Sequence, residues 1–221
     1  MKNFFVLLCL SVLLSCNDTN GTNGDGKLYI ESSIVGGLRV SWLWLGDDGT
    51  FVRNPVNGAN PIDYAKEKAN NATQIGHYKK QGNTITATYE SGKTETWNVE
   101  YDGNRLNTIA GLFVAEAEAM PDDYKLEGTY AASTFYGQIA TVSAFNFMTD
   151  GSFTLNGQGF VNTEDAGGNA KAATGGTYKV NGNTLQLNFN NGQSTVSVIG
   201  EFKTGDSKYL IINQSMFSPK K

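Results

Sequence analysis

The feature that most constrains this fold is an internal repeat, which emerges when the chain is compared with itself at a shift of about 100 residues. Residues 76–92 and 176–192 share seven identical residues over 17 positions. A second match, at a shift of 102, joins residues 43–51 to residues 145–153, and in both segments alternating large apolar residues lead into an Asp-Gly pair. Two matches in the same order indicate that the chain contains one structural unit twice.

Each copy is as long as a complete small domain. We place the two units at residues 27–123 and 124–221, which are 97 and 98 residues long, with Met120-Pro121-Asp122-Asp123 at the boundary. Domains of about 100 residues are common and can fold alone. The sequence therefore predicts two tandem domains of one fold.

Within each unit the hydrophobic pattern has a period of two, which is typical of half-buried β-strands. Ile85, Ala87 and Tyr89 alternate with threonines, and residues 184–189 repeat the pattern. Glycine pairs suited to tight hairpin turns separate the strands: Gln81-Gly82, Ser91-Gly92, Asp102-Gly103, Asn181-Gly182, Asn191-Gly192 and Gly205-Asp206. About eight short antiparallel strands fit in each unit, and an up-and-down barrel or a tight sandwich protects their edges most simply. The predicted fold class is all-β, with two tandem repeats of an antiparallel meander.

Short motifs recur in order along the second unit. They are an opening Leu126-Glu127-Gly128-Thr129-Tyr130, the turn Asp150-Gly151-Ser152-Phe153, the segments Gly176-Thr177-Tyr178 and Asn183-Thr184-Leu185, and a closing Tyr209-Leu210-Ile211-Ile212. This pattern resembles the lipocalin-like domains of bacterial lipoproteins, over nearly all of the second unit and most of the first. The first unit departs from it at its opening, Gly26-Lys27-Leu28-Tyr29-Ile30. The resemblance implies a small barrel, closed or half-open, and brings no catalytic residues.

The beginning of the chain has the pattern of an export signal. Lys2 precedes an unbroken apolar run over residues 4–14, which suits a secretory signal peptide and is too short to span a membrane. The run ends in Leu13-Leu14-Ser15-Cys16, which resembles the lipobox of bacterial lipoproteins. The resemblance implies cleavage before Cys16 and its acylation by chains such as palmitate. An ordinary signal peptide with an unrelated cysteine is the alternative.

These features predict an anchored protein. Residues 1–15 would be the signal peptide, and residues 16–26 the lipidated cysteine and a flexible tether, since residues 17–26 carry no apolar side chain. We expect the mature protein to be lipid-anchored to the bacterial cell envelope, at the outer membrane. It would hold no disulfide, because Cys9 leaves with the signal peptide and Cys16 is acylated.

Composition excludes several functional classes. The net charge is −4 and the chain has one histidine and two cysteines. No basic surface is available to follow a phosphate backbone, so we expect no nucleic acid partner. The scarcity of histidine and cysteine argues against metal and thiol chemistry, and we expect no cofactor.

The polar residues are weak candidates for chemistry. His77 lies in a strand whose counterpart in the second unit has a threonine, which favours a solvent-facing residue over a general base. Asp47-Asp48-Gly49 and Asp150-Gly151 lack the spacing of a calcium loop and are interpreted as hairpin turns. Glu116 and Glu118 imitate the paired carboxylates of a glycosidase, but the second unit has no such pair. We predict no catalytic residue, no metal site and no enzymatic activity.

Two connections are too long for hairpins, and connections of this kind are often lids or binding elements. They cover residues 54–75 and 154–175. In the first, Asn60-Pro61 predicts the cap and first residue of a short helix that runs through Lys68.

The three tryptophans are the candidates for a binding role. The repeat aligns Leu43 and Leu45 with phenylalanines, so this face of the strand belongs to the core and Trp42 and Trp44 share the other face. Their counterparts are alanine and asparagine, which suit an open surface. The two indoles therefore form either a platform for a sugar or lipid or the seam between the units, and we favour the seam. Trp97, aligned with a serine, adds to the aromatic surface of the first unit.

Two functions remain. One is a non-enzymatic membrane-anchored lipoprotein whose lipocalin-like barrels bind a small apolar or glycan ligand. The other is a structural accessory lipoprotein that docks on another envelope protein through Trp42 and Trp44. A hydrolase is disfavoured because the chain has one histidine and no nucleophile elbow.

Overall fold

The computed structural model describes residues 25–34, 38–136, 139–157 and 175–220, and these form two eight-stranded antiparallel barrels. The strands of the first barrel are β1 (Gly26–Ser33), β2 (Arg39–Gly46), β3 (Thr50–Arg53), β4 (Ile75–Gln81), β5 (Thr84–Tyr89), β6 (Thr94–Asp102), β7 (Arg105–Ile109) and β8 (Leu112–Glu116). Those of the second are β9 (Gly128–Tyr136), β10 (Ile139–Phe147), β11 (Ser152–Gly157), β12 (Gly175–Asn181), β13 (Thr184–Phe189), β14 (Ser194–Thr204), β15 (Ser207–Ile212) and β16 (Ser215–Pro219).

Both sheets close on themselves. Each strand pairs with the next along the chain, and the first pairs with the last: Ile30 of β1 lies opposite Ala115 of β8, and Ala131 of β9 opposite Ser218 of β16. Closure removes the free edges that an open sheet would present. The predicted all-β fold class is confirmed, as two tandem barrels rather than sandwiches.

The repeat extends to the backbone of the turns. Gly92 and its counterpart Gly192 have φ angles of +83° and +85°, a region that glycine enters without steric cost. Ala110 and Asn213 occupy matching turns with φ angles of +51° and +50°. The two units therefore share conformation even where their residues differ.

Alternation separates an interior face from an outer face in each strand. Leu43 and Leu45 lie in the interior of the first barrel, as predicted. The interior of the second barrel is dominated by aromatic rings: Tyr130, Phe145, Phe147, Phe153, Tyr178, Phe189 and Phe217. Eight strands enclose a space that side chains of this size can fill.

The segment between the barrels closes one end of the second. Met120 and Leu126 are buried in its core, with Tyr124 packed against them. The hydroxyl of Tyr178 accepts a hydrogen bond from the N–H of Leu126 at 2.9 Å and lies 2.9 Å from the carbonyl oxygen of the same residue. This segment therefore acts as a plug for the second barrel.

The helix between β3 and β4 begins later than predicted. Helix α1 (Tyr64–Asn71) is capped by Asp63, whose carboxylate accepts a hydrogen bond from the N–H of Lys66 at 3.0 Å, and a 3₁₀ turn (Ala72–Gln74) follows it. The prediction that the helix begins at Asn60-Pro61 is wrong, because the N–H of Asn60 donates a hydrogen bond to the second barrel instead. The capping carboxylate comes three residues further on.

Candidate functional site

Trp42 and Trp44 lie on the outer face of the first barrel, in an apolar group that we call the seam cluster. Its buried members are Leu28, Trp42, Trp44, Val52, Ile62, Ile75, Val198 and Ile211. Val198 and Ile211 belong to the second barrel, so the cluster joins the two. The side chains of Trp42 and Trp44 are 1% and 5% exposed.

Trp42 makes the most specific contact of the seam cluster. Its indole N–H donates a hydrogen bond to the carbonyl of Asn213, in the turn between β15 and β16. The tip of its ring lies against Gly200, where an added Cβ would be 2.6 Å from the ring. A side chain at position 200 would therefore displace the indole.

The first long connection braces the seam. The hydroxyl of Thr184 in the second barrel accepts hydrogen bonds from the N–H groups of Ala59 and Asn60, at 2.9 and 3.0 Å. Buried Glu67 of α1 holds the same connection by accepting from the N–H groups of Val56 and Asn57. A lid or binding element was predicted here, whereas the structure shows a bracket between the barrels. Most of the second long connection, residues 158–174, lies outside the described residues.

These contacts favour the seam interpretation of Trp42 and Trp44. Both indoles are covered by residues of the same chain, so neither is exposed as a docking anchor. Their assignment to ligand or partner binding is not tested by these contacts and stays a prediction.

A cavity opens at one end of the first barrel. It has a volume of about 640 Å³ and lies where β3 and β5 end and β6 begins. Its lining includes Arg53, Gln74, Tyr89, Lys93, Glu95 and Trp97. We call this end of the barrel the mouth.

Trp97 is part of the mouth and not of the outer surface. It is 2% exposed and packs against Phe51 in the barrel interior, with ring centroids 5.2 Å apart, which corrects the expectation that it adds aromatic surface. Its position follows from the alternation, because Val99, two residues on, also points inward. Its indole N–H donates to the carboxylate of Glu95 at 2.9 Å.

Glu95 is the centre of a polar network in the mouth. Its carboxylate also accepts a hydrogen bond from the hydroxyl of Tyr89 at 2.9 Å, and it pairs with the ammonium of Lys93 at 2.6 Å. The hydrogen bonds from Lys93 and Trp97 lower the pKa of Glu95 to about 2. Burial raises the pKa of Tyr89 to about 12, so its hydroxyl stays protonated and donates.

A charged pair joins Arg53, which lines the mouth, to Glu31, whose side chain is fully buried. Nη1 of Arg53 donates to Oε2 of Glu31 at 2.8 Å, and the hydroxyl of Ser41 donates to the same oxygen at 3.0 Å. The guanidinium carbon of Arg53 lies 4.6 Å from the ring centroid of Trp97, which is a cation–π distance. Burial raises the pKa of Glu31, although Arg53 and Ser41 act in the opposite direction.

The second barrel has no such network at the equivalent positions. Arg53 lies opposite Leu43 in the first sheet, and Leu155 lies opposite Phe145 in the second, so Leu155 takes the place of Arg53. By the same register Ala132 replaces Glu31, while Ser41 has a serine counterpart. Phe189, Thr195 and Ser197 replace Tyr89, Glu95 and Trp97.

Sequence reasoning found Trp97 and missed Glu31, Arg53 and Glu95. A signal existed for Arg53, since it follows Phe51 by two residues and therefore continues the inward-facing alternation. Its alignment with Leu155 in the second unit would have shown that a charge occupies a core position.

The opposite end of the first barrel holds a smaller cavity of about 260 Å³, lined by Lys27, Tyr29 and Tyr78 among others. Lys27 forms a 2.8 Å ion pair with Glu116, and both side chains are at least half exposed. Burial raises the pKa of Tyr29 to about 12. The charged side chains at this end are exposed to solvent, whereas the buried charged side chains of this barrel lie at the mouth.

The remaining candidates have structural roles. The side chain of His77 is 65% exposed and its Nε2 lies 3.6 Å from Glu90, as expected for a solvent-facing strand residue. The carboxylates of Asp48 and Asp150 accept hydrogen bonds from Thr50 and Ser152 within hairpin turns, as predicted.

Two further kinds of feature are absent from the described part of the chain. No group of three or more histidine, cysteine, aspartate or glutamate side chains there is placed to hold a metal ion. No helix of these residues is long and apolar enough to cross a membrane. Cys16 and residues 17–24 of the tether lie outside the described residues, whereas Gly26 already belongs to β1.

Comparison with known proteins supports the resemblance seen in the second unit. Residues 126–206 match the family described as Lipocalin-like domain. No curated protein and no solved structure matches the chain. The family match begins in the plug and covers most of the second barrel, and the first barrel repeats the same strand order. Over residues 126–206 the chain is thus similar to lipocalin-like domains.

Proposed function

We propose that this protein is a non-enzymatic lipoprotein, anchored to the bacterial cell envelope through Cys16, and that the mouth of its first barrel binds a small ligand of the glycan class. The observation that carries the proposal is the difference between the barrels. One fold is present twice, and only the first copy has Glu31, Arg53, Glu95 and Trp97 at positions that alanine, leucine, threonine and serine fill in the second. A fold that is stable with the simpler residues does not require the polar network.

The chemistry of the mouth favours a hydroxyl-rich ligand over an apolar one. Glu95 and Arg53 supply hydrogen-bond acceptors and donors, and Lys93 and Gln74 lie on the same lining. Sites for small molecules use a few fixed polar groups beside aromatic surface to orient the ligand. Trp97 and Tyr89 hold these polar groups in place through their contacts with Arg53 and Glu95.

The direction of the strands suits an anchored binding protein. Strand β1 begins at Gly26, and Lys27 lies at the end of the barrel opposite the mouth. A tether that leads from Cys16 into β1 would hold that end toward the membrane and leave the mouth facing away from it. The docking alternative has no such support, because its proposed anchors, Trp42 and Trp44, are covered within the chain.

Saturation-transfer NMR with glucose, galactose, mannose and N-acetylglucosamine tests the binding role. We expect transfer to at least one sugar from the wild-type protein and its loss in Glu95→Gln. Glu100→Gln is the matched control, because Glu100 lies on the same strand and is exposed on the outer face. Absence of transfer to all four sugars, or equal transfer in Glu95→Gln, would contradict the proposal.

A further inference from the structure

The pair formed by Glu31 and Arg53 is not fully satisfied by the protein. The side chains are 0% and 16% exposed. Among the described residues, neither Oε1 of Glu31 nor Nε of Arg53 has a hydrogen-bond partner. Buried polar atoms are nearly always paired, so two unpaired atoms in one contact call for an explanation.

Stability does not explain the pair. At the same register the second barrel has Ala132 and Leu155, both within its apolar interior. Replacing a buried ion pair by packed apolar residues is often neutral or stabilising. The apolar counterparts in the second barrel thus show that the fold can be built without the pair.

Arg53 is the cation of the mouth whose counter-ion, Glu31, is fully buried. Glu95 is engaged by Tyr89, Trp97 and Lys93, and it makes no hydrogen bond to Arg53 among the described contacts. Glu31 is a poorer counter-ion than an exposed carboxylate, because burial disfavours its charged form.

The guanidinium is also held in a fixed orientation. The ring centroid of Trp97 lies 4.6 Å from the guanidinium carbon of Arg53, Glu31 binds Nη1, and Arg53 also lines the cavity. A planar guanidinium with free N–H donors matches the paired oxygens of a carboxylate or phosphate. An anion that enters the mouth would supply acceptors for the N–H groups of Arg53, whereas Oε1 of Glu31 is itself an acceptor and needs a donor such as a sugar hydroxyl.

We propose that the ligand carries an anionic oxygen group, a carboxylate or a phosphate, and that Arg53 binds this group at the base of the mouth. The inference rests on the proposed function, and it narrows the ligand class to acidic glycans.

Three sugars with the same glucose ring distinguish a carboxylate, a phosphate and a neutral ligand: glucuronate, glucose 6-phosphate and glucose. Their affinities are measured by NMR titration at low ionic strength, with the full mature chain. We expect at least one anionic sugar to bind tenfold or more tightly than glucose. The stronger of the two anionic sugars distinguishes a carboxylate from a phosphate ligand.

The decisive variant is Glu31→Ala/Arg53→Leu, which gives the first barrel the residues of the second. We expect it to melt no lower than wild type and to lose the preference for anionic sugars. Lys80→Gln is the matched control, because it removes a cation from the opposite end of the same barrel and should keep the preference. If the double variant does not fold, Arg53→Gln is used, and the same loss of preference is expected.

Two results would overturn the inference while the proposed function stands. One is glucose binding as tight as that of both anionic sugars. The other is an anionic preference that survives removal of Arg53 or is lost equally in Lys80→Gln. Failure of all three sugars to bind would overturn the inference together with the glycan proposal.

Discussion

The contact between the barrels yields a sharp prediction, namely that Trp42→Ala uncouples their unfolding. Trp42 is 1% exposed, and its indole contacts the second barrel through Gly200 and the carbonyl of Asn213. Removing the indole deletes both contacts and leaves a cavity in the seam cluster. The bracket that joins the connection after β3 to Thr184 remains.

The magnitude follows from the buried area. A buried tryptophan removes roughly 150–250 Å² from water, which stabilises by about 4–6 kcal/mol at about 25 cal/mol per Å². Trp42 packs against both barrels, so we assign about half of this to the contact between them, with about 1 kcal/mol for the hydrogen bond to Asn213. The coupling lost is then about 3–4 kcal/mol. For domains of this size, such a change lowers the melting temperature of the less stable barrel by at least about 10 °C.

Differential scanning calorimetry of the full chain is the assay. We expect one transition for the wild type and two separated transitions for Trp42→Ala. Phe113→Ala is the control, because Phe113 lies on the outer face of the same barrel and is 56% exposed. A single transition at the wild-type temperature in Trp42→Ala would refute the reasoning.

The seam can also be perturbed from the other side. Gly200→Ala places a Cβ 2.6 Å from the ring of Trp42, and the backbone at this glycine is not in the left-handed region, so the substitution acts through the indole. We expect the same splitting of the transition. An unchanged melting profile would show that the seam tolerates the added methyl group.

Three further predictions concern the anchor, the mouth and the bracket. Cys16→Ser should release the protein from the membrane fraction and abolish incorporation of labelled fatty acid, and unchanged fractionation would contradict the anchor. Because the pKa of Glu95 is lowered to about 2, its contribution to the free energy of unfolding is complete above pH 4.5 and is lost as the pH falls through 2. The stability difference between wild type and Glu95→Gln should therefore shrink from pH 7 to pH 2, and a constant difference would be inconsistent with this pKa. Thr184→Val leaves the N–H groups of Ala59 and Asn60 without their acceptor, which costs about 0.5–1.5 kcal/mol because water can reach these partly exposed groups; both amides should exchange faster with solvent, and unchanged exchange would argue against the bracket.

The strands and their faces could be predicted because alternation is a local property of the chain. Leu43 and Leu45 share a face with period two, and the sister strand confirms which face is buried. The same alternation places Trp42 and Trp44 outside the barrel. The number of strands left a barrel or a sandwich open, and the pairing of the first strand with the last in each unit decides for the barrel.

Contacts between distant residues could not be predicted. The start of α1 depends on Asp63, and the earlier proline was excluded only because Asn60 binds Thr184 of the other barrel. The mouth was missed for a different reason. Arg53 stands at the end of a four-residue strand, where a charged residue normally indicates solvent.

The central claim is that the mouth of the first barrel holds a ligand. Native mass spectrometry of the mature protein, purified from the membranes of its own host and released from detergent in the instrument, tests it most directly. We predict a small molecule bound to the wild-type protein and its absence from Glu31→Ala/Arg53→Leu prepared in the same way. An unliganded mass for the wild type, or the same retained molecule in both proteins, would contradict the claim.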